Sequence, residues 1–379
     1  MISFGTLALI GLAGLVGPLL SSSKRVAIPV VVGELLAGIV IGKTGFRLVD
    51  ANNTTVAFLG NVGFAVLMLV AGMHVPLRNK ALLGDLGKGV VAVVASAAFG
   101  VAGGLAIAHG LSLGHPVVWA VLLASGSAAI VLPALQEAGI GADRALIAMA
   151  WATVADITTI VAVPLVMTPS KAVDAVLGVL AVTAAALVIL FAARYLRRDR
   201  RVQAFRAESA PKNWALDLRI SLVALFALAA IAQGIGTSIM IAGFAAGLVV
   251  AVEGGPARLS DQVSGVASGF LVPIFFVVLG ASLNVRALVS TPKDLELAAA
   301  LIVGILVVHQ LAARVIRAPA WAGLVVSAQL GVPAAVAKLG LSDGVLKSGQ
   351  AAAVIVGALA SLGMCAAGAA LAGRAPASR

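Results

Sequence analysis

Charged residues divide this chain into long apolar stretches. No Asp, Glu, Lys or Arg occurs in residues 89–136, 220–252 or 348–373. A helix that crosses a bilayer needs about 20 predominantly apolar residues. Placing span limits at charges, prolines and turn clusters predicts 13 spans, at 4–22, 25–42, 55–77, 89–110, 116–137, 145–168, 173–193, 215–233, 236–253, 262–283, 295–313, 319–339 and 348–373. The second and ninth are the shortest on apolar character. The stretches are continuous rather than alternating in segments of about ten, which favours helices over a β-barrel. The expected fold class is all-α, a polytopic membrane protein of about 13 transmembrane helices.

Composition excludes other classes. The 379 residues are 61% hydrophobic and 11% charged, with mean hydropathy +1.12. Soluble domains carry about 45–50% apolar and about 25% charged residues. A soluble enzyme and a disordered chain are excluded, and one cysteine, Cys365, excludes a disulfide scaffold. No basic n-region precedes the first span, so it reads as a helix rather than a cleaved signal.

The net charge of +11 invites a nucleic-acid reading, which the placement of the charges removes. With 13 spans, the face of the N-terminus holds Lys43, Arg47, Lys171, Arg286, Lys293, Lys338 and Lys347, and the opposite face holds the other 19 basic residues. Eight of these, from Arg194 to Arg219, lie around the connection after the seventh span, and no aromatic stacking platform accompanies them. The positive-inside rule then predicts a multi-pass cell-membrane protein with its N-terminus outside and its C-terminus cytoplasmic.

The chain resembles itself at a separation of about 200–210 residues. Glu34-Leu-Leu-Ala37-Gly38-Ile-Val in the second span matches Gly243-Phe-Ala-Ala246-Gly247-Leu-Val in the ninth. Gly72-Met-His-Val-Pro-Leu matches Gly280-Ala-Ser-Leu-Asn-Val, and Ser125-Gly-Ser with Pro133 matches Ser327-Ala-Gln-Leu-Gly-Val-Pro333. Matching spans lie seven apart, an odd number, so they run in opposite directions through the membrane. The expected organisation is two inverted six-helix repeats, residues 1–168 and 215–379, joined by a linker helix and basic cytoplasmic loop at 169–214. Interrupted helices then fall at matching spans, the fifth and twelfth, where unwound carbonyls and half-helix ends supply ion ligands.

An ionisable residue inside a span costs about 2.5–3.5 kcal/mol or more and marks a functional site by default. Asp156 lies at the centre of the sixth span, with Thr153 and Thr159 three residues away on its helix face. The competing reading is an Asp that hydrogen-bonds a neighbouring helix. A carboxylate away from water takes either a proton or a monovalent cation, and competition for one site is sufficient for an antiporter. Glu34 belongs either to a cation pathway or to helix packing. His309 is the one His well inside a span, and either packs there or acts near Asp156. Gln329, in the second interruption, is a candidate polar ligand. No cofactor is implied, and no metal beyond the transported ion.

At these residues the chain resembles a bacterial member of the sodium/hydrogen exchanger superfamily, in its monovalent cation:proton antiporter-2 branch. Val32-Gly-Glu34-Leu-Leu-Ala-Gly38-Ile-Val-Ile-Gly42-Lys-Thr-Gly45 is similar to that branch's Gly-Glu-Leu-Leu-Ala-Gly signature. Gly63–Gly72, Gly243–Gly247 and Val272–Gly280 resemble further helix patterns of the branch. The resemblance implies an interface panel from spans 1–3 and 8–10, an ion-carrying core from spans 4–6 and 11–13, homodimers, and elevator-like movement of the core. It makes Asp156 the ion-binding Asp, Ser125–Ser127 the first unwound segment and Ser327–Pro333 the second crossing segment.

Three positions depart from the family pattern. Electrogenic members pair two acids where this chain has Ala155-Asp156, many members carry Lys where it has His309, and many read Gly-Glu-Phe where it reads Gly331-Val-Pro333. A single carboxylate predicts electroneutral exchange of one Na⁺ or K⁺ for one proton, with Asp156, Thr153, Ser125 and Ser127 at the ion and His309, Gln329 and Glu34 as auxiliary groups. The rival readings are a transporter of the same fold for another solute and a transport-inactive sensor. An intramembrane hydrolase lacks its motif, so no enzymatic activity is expected.

Overall fold

The computed structural model describes residues 3–22, 29–75, 80–167, 172–209, 211–212, 214–254 and 257–374. The start of the second expected span (25–28), the end of the third (76–77), the last residue of the sixth (168) and Lys171 lie outside the described residues. The regular secondary structure of the described residues is all helical. In chain order the helices are α1 (Phe4–Gly14), α2 (Val16–Ser21), α3 (Val30–Ile41), α4 (Thr54–Met73), α5 (Lys80–Leu111), α6 (Pro116–Ala124), α7 (Ala128–Glu137), α8 (Ala142–Met167), α9 (Ala172–Leu196) and α10 (Arg200–Ser209). They continue with α11 (Leu216–Gly234), α12 (Ile239–Glu253), α13 (Ala257–Val266), a π-helical turn Ala267–Leu271, α14 (Val272–Ser282), α15 (Val285–Ser290), α16 (Pro292–Val315), α17 (Ala320–Val326), α18 (Gly331–Ser342) and α19 (Ser348–Arg374).

Eleven segments among the described residues are long and apolar enough to cross a membrane. α3 and α12 are apolar but shorter, and they fall at the second and ninth expected spans. Local sequence explains several ends. Pro116 and Pro292 open α6 and α16, where the missing N–H costs nothing, and Ser3 and Ser238 cap α1 and α12 through their side chains. Three features differ from the span expectations. α5 begins at Lys80, nine residues before the expected span, because its polar first turns remain helical. The tenth span is a 33-residue segment, Arg258–Ser290, which contains the π turn. The basic connection contains a helix of its own, α10.

The chain forms two compact units. One comprises the described residues within 1–57, 79–169 and 276–379. In it α5 lies along α6 and α8, while α16 packs on α5 and α19, and α17 on α19. Its core gathers Trp151, Ala155, Trp321 and Val325 with alanines from α5, α7, α8, α16 and α19. α3 joins this unit by close backbone approach: a methyl on Gly38 would lie 2.2 Å from the Val277 carbonyl oxygen, and one on Gly280 would lie 2.3 Å from that of Leu35.

The second unit comprises residues within 58–78 and 170–275. α9, α11 and α12 pack together around Leu225, Leu228, Ile241 and Val182. α4 joins them by the same kind of approach. A methyl on Gly247 would lie 2.2 Å from the Leu69 carbonyl oxygen, and one on Gly72 would lie 2.3 Å from that of Phe244. Gly63 lies against the π turn, 2.2 Å by the same measure from the Leu271 carbonyl oxygen, and Phe64 stacks on Phe275 at 5.0 Å.

Candidate functional site

Two helical spans of the first unit are interrupted. α6 ends at Ala124, and Ser125 and Ser127 are extended (ψ 149° and 115°) before α7 begins. α17 ends at Val326, and residues 327–330 are non-helical before α18. Short hydroxyl side chains offer the backbone an alternative to helix. Ser327 Oγ donates to the Leu324 carbonyl at 2.7 Å, and Ser125 Oγ lies 3.2 Å from the Leu122 carbonyl. The two interruptions meet. Ser127 N–H donates to the Ala328 carbonyl at 2.8 Å, so part of the freed backbone of one satisfies the other. Gly126 permits the approach, because a methyl there would stand 2.7 Å from the Val326 carbonyl oxygen.

Asp156 faces this meeting point from α8 and is 4% exposed. Its Oδ2 accepts from Ala128 N–H at 3.1 Å and from Ser127 Oγ–H at 3.4 Å. Ala128 is the first residue of α7, and Ser127, its N-cap, makes no side-chain cap within its own helix. The carboxylate of α8 therefore caps α7 and meets the positive end of its dipole. Both bonds fall on one oxygen. The hydroxyls on either side of Asp156 differ. Thr159 Oγ1 donates to the Ala155 carbonyl at 2.6 Å, whereas the buried Thr153 Oγ1 has no hydrogen-bond partner.

Ser125 turns toward Gln329 rather than Asp156, and its hydroxyl donates to the Gln329 side-chain oxygen. Gln329 is 1% exposed, and its side-chain nitrogen has no partner. Its backbone N–H donates to Ser361 Oγ of α19 at 3.2 Å. Ser361 thus positions the second interruption. Sequence reasoning did not find it, because a lone Ser in an alanine-rich span carries no signal.

His309 is wholly buried on α16. It stacks on Trp151 of α8 with centroids 5.6 Å apart, and its Nδ1 lies 2.9 Å from the Ile305 carbonyl, to which it donates. Nε2 makes no aligned hydrogen bond, though the Ser125 backbone of the first interruption is near enough to act on the ring, so His309 reaches the Asp156 helix through an aromatic stack and makes no hydrogen bond to the carboxylate. The Trp151 indole nitrogen is buried without a partner as well. Glu34, 3% exposed on α3, sits against Gly17: a methyl on that glycine would lie 2.8 Å from Glu34 Cγ. Its Oε2 also lacks a hydrogen-bond partner.

The structure thus brings Asp156, Ser127 and the first turn of α7 together, and separately Ser125, Gln329 and Ser361, with the paired interruptions joining the two sets. An unpartnered buried polar group costs about 1–3 kcal/mol. Four such atoms, on Thr153, Trp151, His309 and Gln329, belong to the elements that build this site. Among the described residues no three side chains of His, Cys, Asp or Glu converge. The arrangement offers hydroxyl, carbonyl and a single carboxylate oxygen, ligands suited to a hard monovalent cation or a proton.

These features define a polytopic helical membrane protein built on two interrupted helices that meet beside one buried carboxylate. The transmembrane sodium/hydrogen exchanger family model matches residues 11–377, and the chain belongs to that family. It is 24% identical to YjbQ of Bacillus subtilis over 80% of the chain, and 27% identical to the Na(+)/H(+)-K(+) antiporter GerN of Bacillus cereus over 69%. It spans about half the length of YjbQ (52%) and 67% of GerN. Its fold is similar to that of the sodium proton antiporter MjNhaP1 of Methanocaldococcus jannaschii, with TM-score 0.62, 15% identity and 98% of each chain covered.

Proposed function

We propose that this protein is a secondary antiporter that exchanges a monovalent cation, Na⁺ or K⁺, for a proton by alternating access. The observation that carries the reading is Asp156, a buried carboxylate held at the start of a half-helix where two interruptions meet. Both its hydrogen bonds fall on Oδ2, so Oδ1 is the oxygen for which proton and cation compete. Thr153 supplies a hydroxyl ligand, Ser127 holds the carboxylate, and Ser125 with Gln329 orders the second interruption. His309 tunes the site through Trp151, and Glu34 is an auxiliary proton-linked group. One carboxylate per site makes the exchange electroneutral, one cation for one proton.

In this reading the chain has 13 spans, with α3 and α12 crossing as short helices, and its halves are inverted repeats. The glycine contacts support that symmetry. The repeat equates Gly38 with Gly247 and Gly72 with Gly280, and the close contacts pair Gly38 with Gly280 and Gly72 with Gly247. A two-fold exchange of the halves converts one pair into the other, down to the carbonyls involved, Leu35 and Val277 against Phe244 and Leu69. The N-terminus lies outside and the C-terminus in the cytoplasm, and the protein works as an elevator-type homodimer.

The test is exchange in proteoliposomes, with Na⁺ or K⁺ against a pH gradient. Wild type should exchange and Asp156→Asn should not. No exchange by the wild type would favour a transport-inactive sensor, and a working Asn variant would remove Asp156 from the mechanism. Strong dependence on membrane potential would overturn electroneutrality. His309→Ala and His309→Lys separate a titrating imidazole from a packing one.

A further inference from the structure

Glu34, like Asp156, is an acid enclosed by apolar helices, but no donor stands beside it. It is 3% exposed on α3, and its Oε2 has no hydrogen-bond partner. No ion pair among the described residues includes it. α1, α2 and α14 pack against α3. None of the three carries an acidic, basic or other titratable side chain. Lys24 and Arg25, in the connection between α2 and α3, lie outside the described residues. A carboxylate enclosed without a counter-charge or donors is far costlier than a neutral carboxyl, so such a group takes up a proton. That proton then needs an acceptor, because a buried donor left unmatched also costs free energy.

The break between α1 and α2 supplies one. Pro18 has no N–H, so it cannot close the bond that a continuous helix would make to the Gly14 carbonyl. α1 accordingly ends at Gly14, and α2 starts at Val16. Gly14 and Gly17 are both buried and, three residues apart, share a face. Glu34 lies against that face. α2 and α3 cross at two glycines, where a methyl on Gly33 would lie 2.6 Å from the Gly17 Cα. A methyl on Gly17 would in turn lie 2.8 Å from Glu34 Cγ. The backbone is therefore bare where the Glu34 stem runs along it, one turn from the carbonyl that Pro18 deprives of its donor.

We infer that Glu34 carries a proton and donates it to the Gly14 carbonyl, so that a bound proton, rather than an ion pair, fastens α1 and α2 to α3. The inference rests on the reading of Glu34 as a proton-linked group and is independent of exchange at Asp156. The test uses the full chain in detergent with Asp156→Asn, which removes the other proton carrier. Infrared difference spectra between this protein and the same protein with Glu34→Gln should show one protonated-carboxyl band at neutral pH, unchanged by added Na⁺ or K⁺. Raising the pH should remove the band and lower the unfolding midpoint more with Glu34 than with Gln, since an ionised Glu34 has no counter-charge while the amide keeps a donor. Glu34→Met keeps the stem without the donor and should lower the midpoint by about 1–2 °C at neutral pH. Pro18→Ala returns an N–H to the Gly14 carbonyl, and in its presence Glu34→Met should leave the midpoint unaltered. If Glu34→Met elutes as misfolded, the band and its pH dependence in the Gln comparison still decide. Absence of the band would mean an ionised Glu34, and a band abolished by Na⁺ or K⁺ would mean a cation site; either overturns the inference. An equal cost of Glu34→Met with and without Pro18 would overturn Gly14 as the acceptor. Each of these failures leaves exchange at Asp156 standing.

Discussion

Adding one methyl group at Gly72 or Gly280 tests both the packing and the symmetry of this protein. At each position the new carbon would stand 2.3 Å from a carbonyl oxygen, that of Phe244 or of Leu35, and the atoms it meets are backbone. A carbon and a carbonyl oxygen are comfortable at about 3.3 Å, so the helices must separate by about 1 Å. Overpacking of this kind costs about 3 kcal/mol at the upper end of its usual range. The gain in helix propensity from Gly to Ala returns about 1 kcal/mol, leaving each variant destabilised by about 2 kcal/mol. Gly84 and Gly87 supply the control, because a methyl there meets nothing within 4 Å and only the propensity gain remains.

The assay is thermal unfolding in detergent. Gly72→Ala and Gly280→Ala should each lower the midpoint by about 2–3 °C, and the Gly84→Ala and Gly87→Ala variants should equal or exceed wild type. Gly38→Ala with Gly280→Ala should cost less than the sum, since one displacement relieves both. Gly38→Ala with Gly72→Ala should be additive, because the contacts are separate. If Gly72→Ala and Gly280→Ala behave like the controls, the close-approach argument is wrong. If one is severe and the other neutral, the paired contacts are not equivalent and the two-fold reading fails.

Three further outcomes follow from the site. If proton and cation compete for Asp156, the apparent Km for the cation should rise as pH falls, by up to tenfold per pH unit on the acid side, while the rate at saturating cation changes little; a pH-independent Km in proteoliposomes refutes competition. Thr153→Val should raise the cation Km at least about tenfold and Thr159→Val less than about twofold, since only the Thr153 hydroxyl is unpartnered; equal effects would remove Thr153 from the site. Ser361→Ala should cost about 1 kcal/mol of stability and loosen the second interruption, seen as faster amide exchange at Gln329; unchanged exchange there would make Ser361 a packing residue.

Much of this architecture is legible in the sequence because lipid removes the ambiguities that water allows. An uninterrupted apolar run must be a helix of a certain length, so most span limits fall within a few residues of the helices. Asp156 is legible for the same reason, since an acid at the centre of a span has few explanations. What the chain could not announce is relational. Thr153 and Thr159 are equivalent by spacing, and only the carbonyl that Thr159 finds in its own helix separates them. The stack of His309 on Trp151 joins residues 158 positions apart and has no local signature. α10 looks like a loop because its composition is polar, yet Asp217 of α11 and Trp214 in the connection before it give it a surface to dock on.

The hydrogen bonds at Asp156 also decide which variants can isolate its charge. Oδ2 caps α7 through Ala128 N–H, so removing the whole side chain deletes a helix cap together with the carboxylate. Losing a cap costs about 1 kcal/mol, and replacement of Asp by Asn at such a position keeps an acceptor of the same reach. Asp156→Asn should therefore unfold within about 0.5 kcal/mol of wild type while exchanging nothing, and Asp156→Ala should be less stable by about 1–2 kcal/mol. The difference belongs to Oδ2, and the activity lost in both belongs to the charge. If a proton or a cation binds at Oδ1, the Oδ2 contact stays in place, and α7 and α8 should stay tied through the proposed exchange cycle. Equal stability of the Ala and Asn variants would show that the cap contributes nothing. The link between the half-helix α7 and α8 would then have to come from packing around Trp151 and Ala155 alone.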